Sequence, residues 1–171
     1  MAKVHGTRIT AEPGKQEILI TREFDAPRET VFKAWTDCEH LMRWWGPKDF
    51  TTPFCKIDLR PEGVFHYCMR SPQGQDFCGK SVYREIVESE RIIYTDFFVD
   101  QKGNPVPATY YGLSPDWPQE TLVTVTFAED RGKTNLTVQH SVGSAPASER
   151  DMCEQGWAEM LEKLEGNLAK A

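Results

Sequence analysis

Lysine and arginine never cluster in these 171 residues, and the formal net charge is −6. A nucleic-acid groove or an anionic membrane surface needs gathered positive charge, so neither is expected as a partner. No run of about 18 apolar residues occurs, so no segment reads as crossing a membrane. The opening MAKVHGTRITAEPGKQ lacks the apolar stretch of a secretory leader, and residues 1–15 read as a flexible tail before a single domain over residues 16–171. The five cysteines are odd in number and show no CxxC spacing. Neither a disulfide framework nor a zinc site is expected, and a reducing cytoplasm is the natural compartment. Cys68 and Cys78 lie equidistant from Gln73 in a hairpin-like stretch and can face each other, but they read as two small buried hydrophobes. The four histidines lack ligand spacing, so no metal is expected. GxSxG and recognisable Ser/His/Asp or Cys/His constellations are absent, no catalytic residue is named, and no cofactor is implied.

The pattern that is present is ordered. QEILITREF alternates as a strand, with Ile18, Ile20 and Phe24 on one side. Asp25 offers a helix cap and Pro27 suits the first turn, with Val31, Phe32 and Trp35 at helical spacing. Asp37 caps a second short helix that carries Trp44 and Trp45 in its last turn. Gly46 fits the left-handed position past a helix end, and Pro47 prevents continuation. Strands follow in FCKIDL, GVFHYCMR, FCGKSVYREIV and RIIYTDFFV, then in TLVTVTFAE and TNLTVQHSV joined by the hairpin signal DRGK. Between the last two groups about twenty residues with five prolines have no periodicity, and loops of that length are functional or disordered. Ser148 and Asp151 resemble a capping box for a final helix of about twenty residues, striped by Met152, Trp157, Met160, Leu161, Leu164 and Leu168. Adjacent strands in series predict an antiparallel sheet of six or seven strands wrapped around a helix over roughly 149–169.

GQDFCGKS matches the phosphate-cradling pattern GxxxxGK[ST], and IIYTD imitates the acidic strand that accompanies it. That loop requires a strand before it and a helix after it. Here it starts from a hairpin turn and runs into a strand, so ATP and GTP are not expected ligands.

DAPRETVFKAWTD, WWGP, PEGVFHYCMRSPQG, VYREI, ERIIYTD, TVTF, TNLTVQH and GWAEMLEKLEGNL together resemble the START-like (SRPBCC) superfamily. Within it the chain is similar to the family named for activators of heat-shock-protein-90 ATPase. The resemblance covers roughly residues 16–170. One departure is Glu62–Gly63, where the family often has two glycines. The resemblance implies an α+β helix-grip fold: a curved antiparallel sheet around a long C-terminal helix, two short helices between the first and second strands, and a cavity between sheet and helix.

On that fold, core and cavity wall are one surface. Trp44 and Trp45 are placed at the mouth end, one buried and one nearer the cavity. Phe65, Tyr67 and Met69 share a strand face, and Trp157, Leu161 and Leu164 share the helix stripe. Tyr83 and Glu85 join the candidate wall. Glu85, pointing inward with Tyr83 and Ser81, would be a buried carboxylate fit for acid–base work. His140 shares a face with Leu136 and Val138, either as a hydrogen-bonding or acid–base group in the cavity or as a satisfied histidine near a sheet edge. Tyr110, Tyr111 and Trp117 in the long loop are the candidate lid, closing near Trp44 and Trp45. The leading expectation is a small hydrophobic or aromatic molecule as partner, without demonstrated catalysis. A chaperone partner, a cyclase- or hydrolase-type activity and a homodimer stay open as alternatives.

Overall fold

The eight residues Glu17–Phe24 alternate between the two faces of a strand, and Ile18, Ile20, Arg22 and Phe24 are buried on one side. In the computed structural model, which describes residues 2–4, 7–10 and 17–168, this strand (β3) is followed by α1 (Arg28–Thr36) and α2 (Cys38–Leu41). Then come β4 (Thr51–Ile57), β5 (Val64–Arg70), β6 (Asp76–Val87), β7 (Arg91–Val99), β8 (Thr121–Asp130) and β9 (Lys133–Ser141). The helix α3 (Ala147–Leu168) ends the described chain. Two short strands, β1 (Ala2–Val4) and β2 (Thr7–Thr10), lie in the segment read as a tail, and β2 pairs with β3. The sheet order is β1-β2-β3-β9-β8-β7-β6-β5-β4, and neighbouring strands run antiparallel. The seven strands from β3 onward and the last helix form the predicted grip. No helix among the described residues is long and apolar enough to cross a membrane.

The local signals hold with small displacements. Pro27, not Asp25, stands at the start of α1, and its carbonyl accepts from Thr30 and Val31 N–H. Asp37 does precede α2, but its carboxylate bonds His40 Nδ1 at 2.6 Å and caps no backbone N–H. Trp44 and Trp45 sit one turn beyond α2, where both backbone N–H groups donate to Leu41 O. Gly46 then has φ +99°, the left-handed position a side chain rarely adopts. In α3 the stripe starts later than expected: Met152 is 64% exposed, and the buried face begins with Trp157. Ser148 falls inside the helix, so the predicted capping box does not form there.

Lys163 ties the helix to the turn after α2. Its ammonium is half-buried and donates to the carbonyls of Gly46, Pro47 and Phe50 at 3.0, 3.3 and 3.2 Å. Arg22 reaches from β3 to Glu165 on the same helix. The GQDFCGKS stretch begins at a turn and runs into β6, with a strand after Ser81, as its rejection requires.

The cysteines depart from the expectation. Cys68 is bonded to Cys78 across β5 and β6, and Cys38 to Cys55 between α2 and β4, leaving Cys153 free. Cys68 and Cys78 are direct partners in the β5–β6 register. The second bond joins residues 17 apart whose proximity depends on α2 folding back on β4. These bonds remove the argument that unpaired cysteines made for a reducing compartment. Alkylation of the denatured, unreduced chain should therefore trap one thiol, at Cys153, and five thiols after reduction. Cys38→Ser should cost about 3 kcal/mol in denaturant melts, the loop-entropy scale for a closure of this length. Five reactive thiols before reduction would show that neither bond exists.

Candidate functional site

The inner face of the sheet is a stack of rows set by register. Tyr83, Tyr94, Val123, His140 and Ile18 are cross-strand partners in one row, and all are buried. The next row is Phe65, Ser81, Asp96 and Thr121. Beyond it come Tyr67, Gly79 and Phe98, and then Met69 and Phe77. Burial falls along this direction: Asp96, Phe98, Met69 and Phe77 are only half-buried, as are Cys153 on α3 and Trp117 in the long loop. The inner face is fully covered at one end and only half-buried at the other, where a carboxylate stands.

Most predicted wall residues meet as one packed cluster. Trp45 is its hub, with ring centroids 5.3 Å from Trp44, 5.3 Å from Phe65, 5.5 Å from Tyr67 and 5.9 Å from Trp157. Trp35 stacks on Trp157 at 6.1 Å. Trp44 is fully buried and its indole N–H donates to Ala34 O at 3.0 Å. Leu161 and Leu164 are fully buried beneath these rings. The aromatic residues expected to stand apart as cavity walls thus touch each other, and the middle of the grip is filled.

Glu85 is not among them. An extra residue in β6 shifts the β6–β7 register between Tyr83 and Glu85. Alternation is a strict two-residue period, so the bulge turns Glu85 outward and Ile86 inward. Glu85 is exposed and accepts from Arg91 at 2.7 Å, and that ion pair lowers its pKa.

The inward carboxylate is Asp96. Its Oδ1 accepts from Ser81 Oγ at 2.8 Å and from Tyr67 Oη at 3.3 Å. Among the described residues these two hydroxyls are its hydrogen-bond donors, and no lysine or arginine neutralises it. Desolvation pushes its pKa up to about 7, against the smaller opposing effect of the two hydroxyl donors. Gly79 makes the arrangement possible. A Cβ there would lie 2.5 Å from Tyr67 Oη, so the phenol crosses the sheet over a residue with no side chain. Asp96 was missed from sequence, although it shares parity with Ile92 and Tyr94. The lone glycine inside β6 was the second available signal.

His140 is buried and hydrogen-bonded on both sides. Trp157 Nε1–H donates to Nδ1 at 3.2 Å. An indole nitrogen only donates, so Nδ1 carries no proton and Nε2–H donates to Thr121 Oγ1 at 2.8 Å. Burial lowers the histidine pKa to about 4. Cys153 Sγ is 3.6 Å from the same Nδ1, but burial pushes the thiol up to about 12, with Asp96 adding to the shift. A neutral thiol beside an imidazole whose lone pair is already engaged is not a nucleophile–base pair. His140 is therefore the satisfied histidine of the two readings.

The candidate lid divides. The Tyr111 hydroxyl donates to Val99 O and accepts from Cys78 N–H, and its ring packs 5.3 Å from Phe77 and 5.7 Å from Phe98. Trp117 packs against the core, and its loop is tied to α3 where Ser114 N–H donates to Glu149 at 2.7 Å. Tyr110 is 58% exposed and lies outside the opening. Tyr111 meets β6, β7 and the neighbouring Tyr110 rather than closing on Trp44 and Trp45 as expected. A separate surface groove of about 510 Å³ lies between the helices, with Lys33, Arg43, Trp44 and Leu164 among its walls. Its cations stand on exposed helix faces, and it shares no residue with the Asp96 opening.

The described residues hold no cluster of three metal-ligating side chains. Residues 25–169 match the family described as activator of Hsp90 ATPase homolog 1-like protein. A solved protein from Mycobacterium smegmatis is 24% identical with TM-score 0.77, covering 93% of this chain and 94% of its own. One from Staphylococcus epidermidis is 27% identical with TM-score 0.73, covering 94% of each. The AHSA1 protein from Silicibacter pomeroyi is 22% identical with TM-score 0.68, covering 90% of this chain and 97% of its own. No curated protein matches the chain.

Asp96 makes a pH prediction. Its folded pKa is raised, so its stability contribution is complete below the unfolded value of 3.8 and is lost as pH rises through about 7. Asparagine cannot ionise. Relative to the parent, Asp96→Asn should gain stability between pH 4 and 8, by up to roughly 4 kcal/mol. Thermal melts of both proteins across that range check this, and parallel curves would show that Asp96 is solvated.

Proposed function

This chain belongs to the family of activator of Hsp90 ATPase homolog 1-like proteins, and we propose that within it the protein binds a small apolar or aromatic molecule at the open end of its grip. The observation that carries the reading is the graded inner face. Met69, Phe77, Phe98 and Trp117 point into the opening yet remain half-buried, so apolar surface is held ready there and incompletely covered. Pockets for small ligands combine such apolar walls with few polar groups, and Asp96, Ser81 and Tyr67 are those groups here. The filled middle limits the ligand to the mouth. Tyr111 and Trp117 are the lid residues in this reading, and Tyr110 is not. A chaperone partner, implied by the family's name, would engage an outer surface, whereas the graded apolar face lies inside the grip.

Nile red, a neutral dye that brightens in apolar surroundings, should bind saturably with a blue-shifted emission. Phe98→Ser should weaken that binding about tenfold, the scale of losing one half-buried aromatic contact, while far-UV circular dichroism is unchanged. Failure of the dye to saturate would remove the ligand-binding reading.

A further inference from the structure

Asp96 has the wrong chemistry for a purely apolar ligand. A carboxylate facing an apolar opening is costly unless something pairs with it. Its Oδ1 is served by Ser81 and Tyr67, while Oδ2 has a single long contact, 3.5 Å from Tyr67 Oη. Two carboxylates on this sheet have guanidinium partners: Asp76 has Arg70 at 2.7 Å and Glu85 has Arg91 at 2.7 Å. Asp96 has none among the described residues.

Resting on the ligand-binding reading above, we infer that the ligand is an amine, whose ammonium pairs with Asp96 while its apolar body lies against Phe98, Met69 and Trp117. Two features select a cation over other polar groups. Oδ2 offers lone pairs and no donor, so an anion is repelled. The chain's net charge of −6 draws cations toward it. An ammonium also supplies the opposite charge that Asp76 and Glu85 have and Asp96 lacks among the described residues.

The surrounding groups leave Asp96 to set the pH dependence alone. Tyr67 from β5 and Tyr94 from β7 are pushed well above 10 by burial. Cys153 from α3 is at about 12 and His140 from β9 at about 4, so none of the four changes charge between pH 5 and 8. Glu154, next to Cys153 on α3, has its carboxyl raised by burial and by Asp151 and is countered by Arg150.

The test is displacement of Nile red by 2-naphthylmethylamine and by its neutral isostere 2-naphthalenemethanol. At pH 8 the amine should bind the parent about tenfold or more tighter than the alcohol, the range of a desolvated charged hydrogen bond. With a midpoint near 7, about one site in a hundred is ionised at pH 5, so the amine preference should be lost there while alcohol affinity is unchanged. Asp96→Asn should erase the amine preference at pH 8 and leave Nile red binding intact. Should that variant not fold, the pH profile of the parent decides alone. Equal binding of amine and alcohol to a parent that still binds Nile red would overturn the amine assignment and leave the apolar site standing. No Nile red binding at all would overturn both.

Discussion

One helix has to cover a sheet that is wider than it. At about 4.8 Å per strand, the seven strands of the grip present an inner face about 30 Å across, and an α-helix with its side chains covers about 10 Å. The remaining area must be filled by side chains or left open. This chain does both. Trp35, Trp44, Trp45, Phe65, Tyr67 and Trp157 fill the middle with rings in mutual contact. Past Phe65, Tyr67 packs on Trp45, Phe77 packs on Phe50 and on Tyr111 of the long loop, and Met69 and Phe77 stay half-buried. The open mouth is thus a consequence of geometry, and its contents are set by which side chains the register brings to the last rows.

The polar groups inside obey the same constraint. Each buried one must find a partner, and the partners fix its protonation. The indole N–H of Trp157 holds His140 neutral and fixes its tautomer, so the histidine links helix and sheet as a structural joint. Asp96 receives two hydroxyl donors, enough to orient it and too few to keep it fully ionised at neutral pH. The two groups also oppose each other in pH dependence. A histidine with a lowered pKa loses stability as pH falls from about 6.5 to 4, while the raised carboxylate loses it as pH rises over nearly the same window.

Much of this was legible from residue order. The alternation in QEILITREF and TNLTVQH, the Gly46–Pro47 stop and the Trp157–Leu161–Leu164 stripe placed the sheet, the paired tryptophans and the gripping helix. The site was legible only in part. The residue pattern puts Phe65, Tyr67, Met69 and Trp157 on the inward faces, where the structure has them, but strict alternation from Tyr83 also points Glu85 inward. A single-residue bulge has no sequence signature of its own, and it moves every residue after it to the other face. Asp96 was hidden for the opposite reason, as one acid in an apolar run whose inward parity emerges once Ile92 and Tyr94 are known to be buried. The Cys38–Cys55 pair depends on how α2 meets β4, a tertiary relation that spacing does not encode.

The central claim is that an uncompensated carboxylate stands inside an apolar mouth. The most direct measurement is a titration of the Asp96 carboxyl carbon by NMR in isotope-labelled protein, assigned through Asp96→Asn. The account predicts a midpoint near 7 for the free protein, about three units above the ordinary aspartate value. A midpoint near 4 would show a solvated or already neutralised group and would contradict the account.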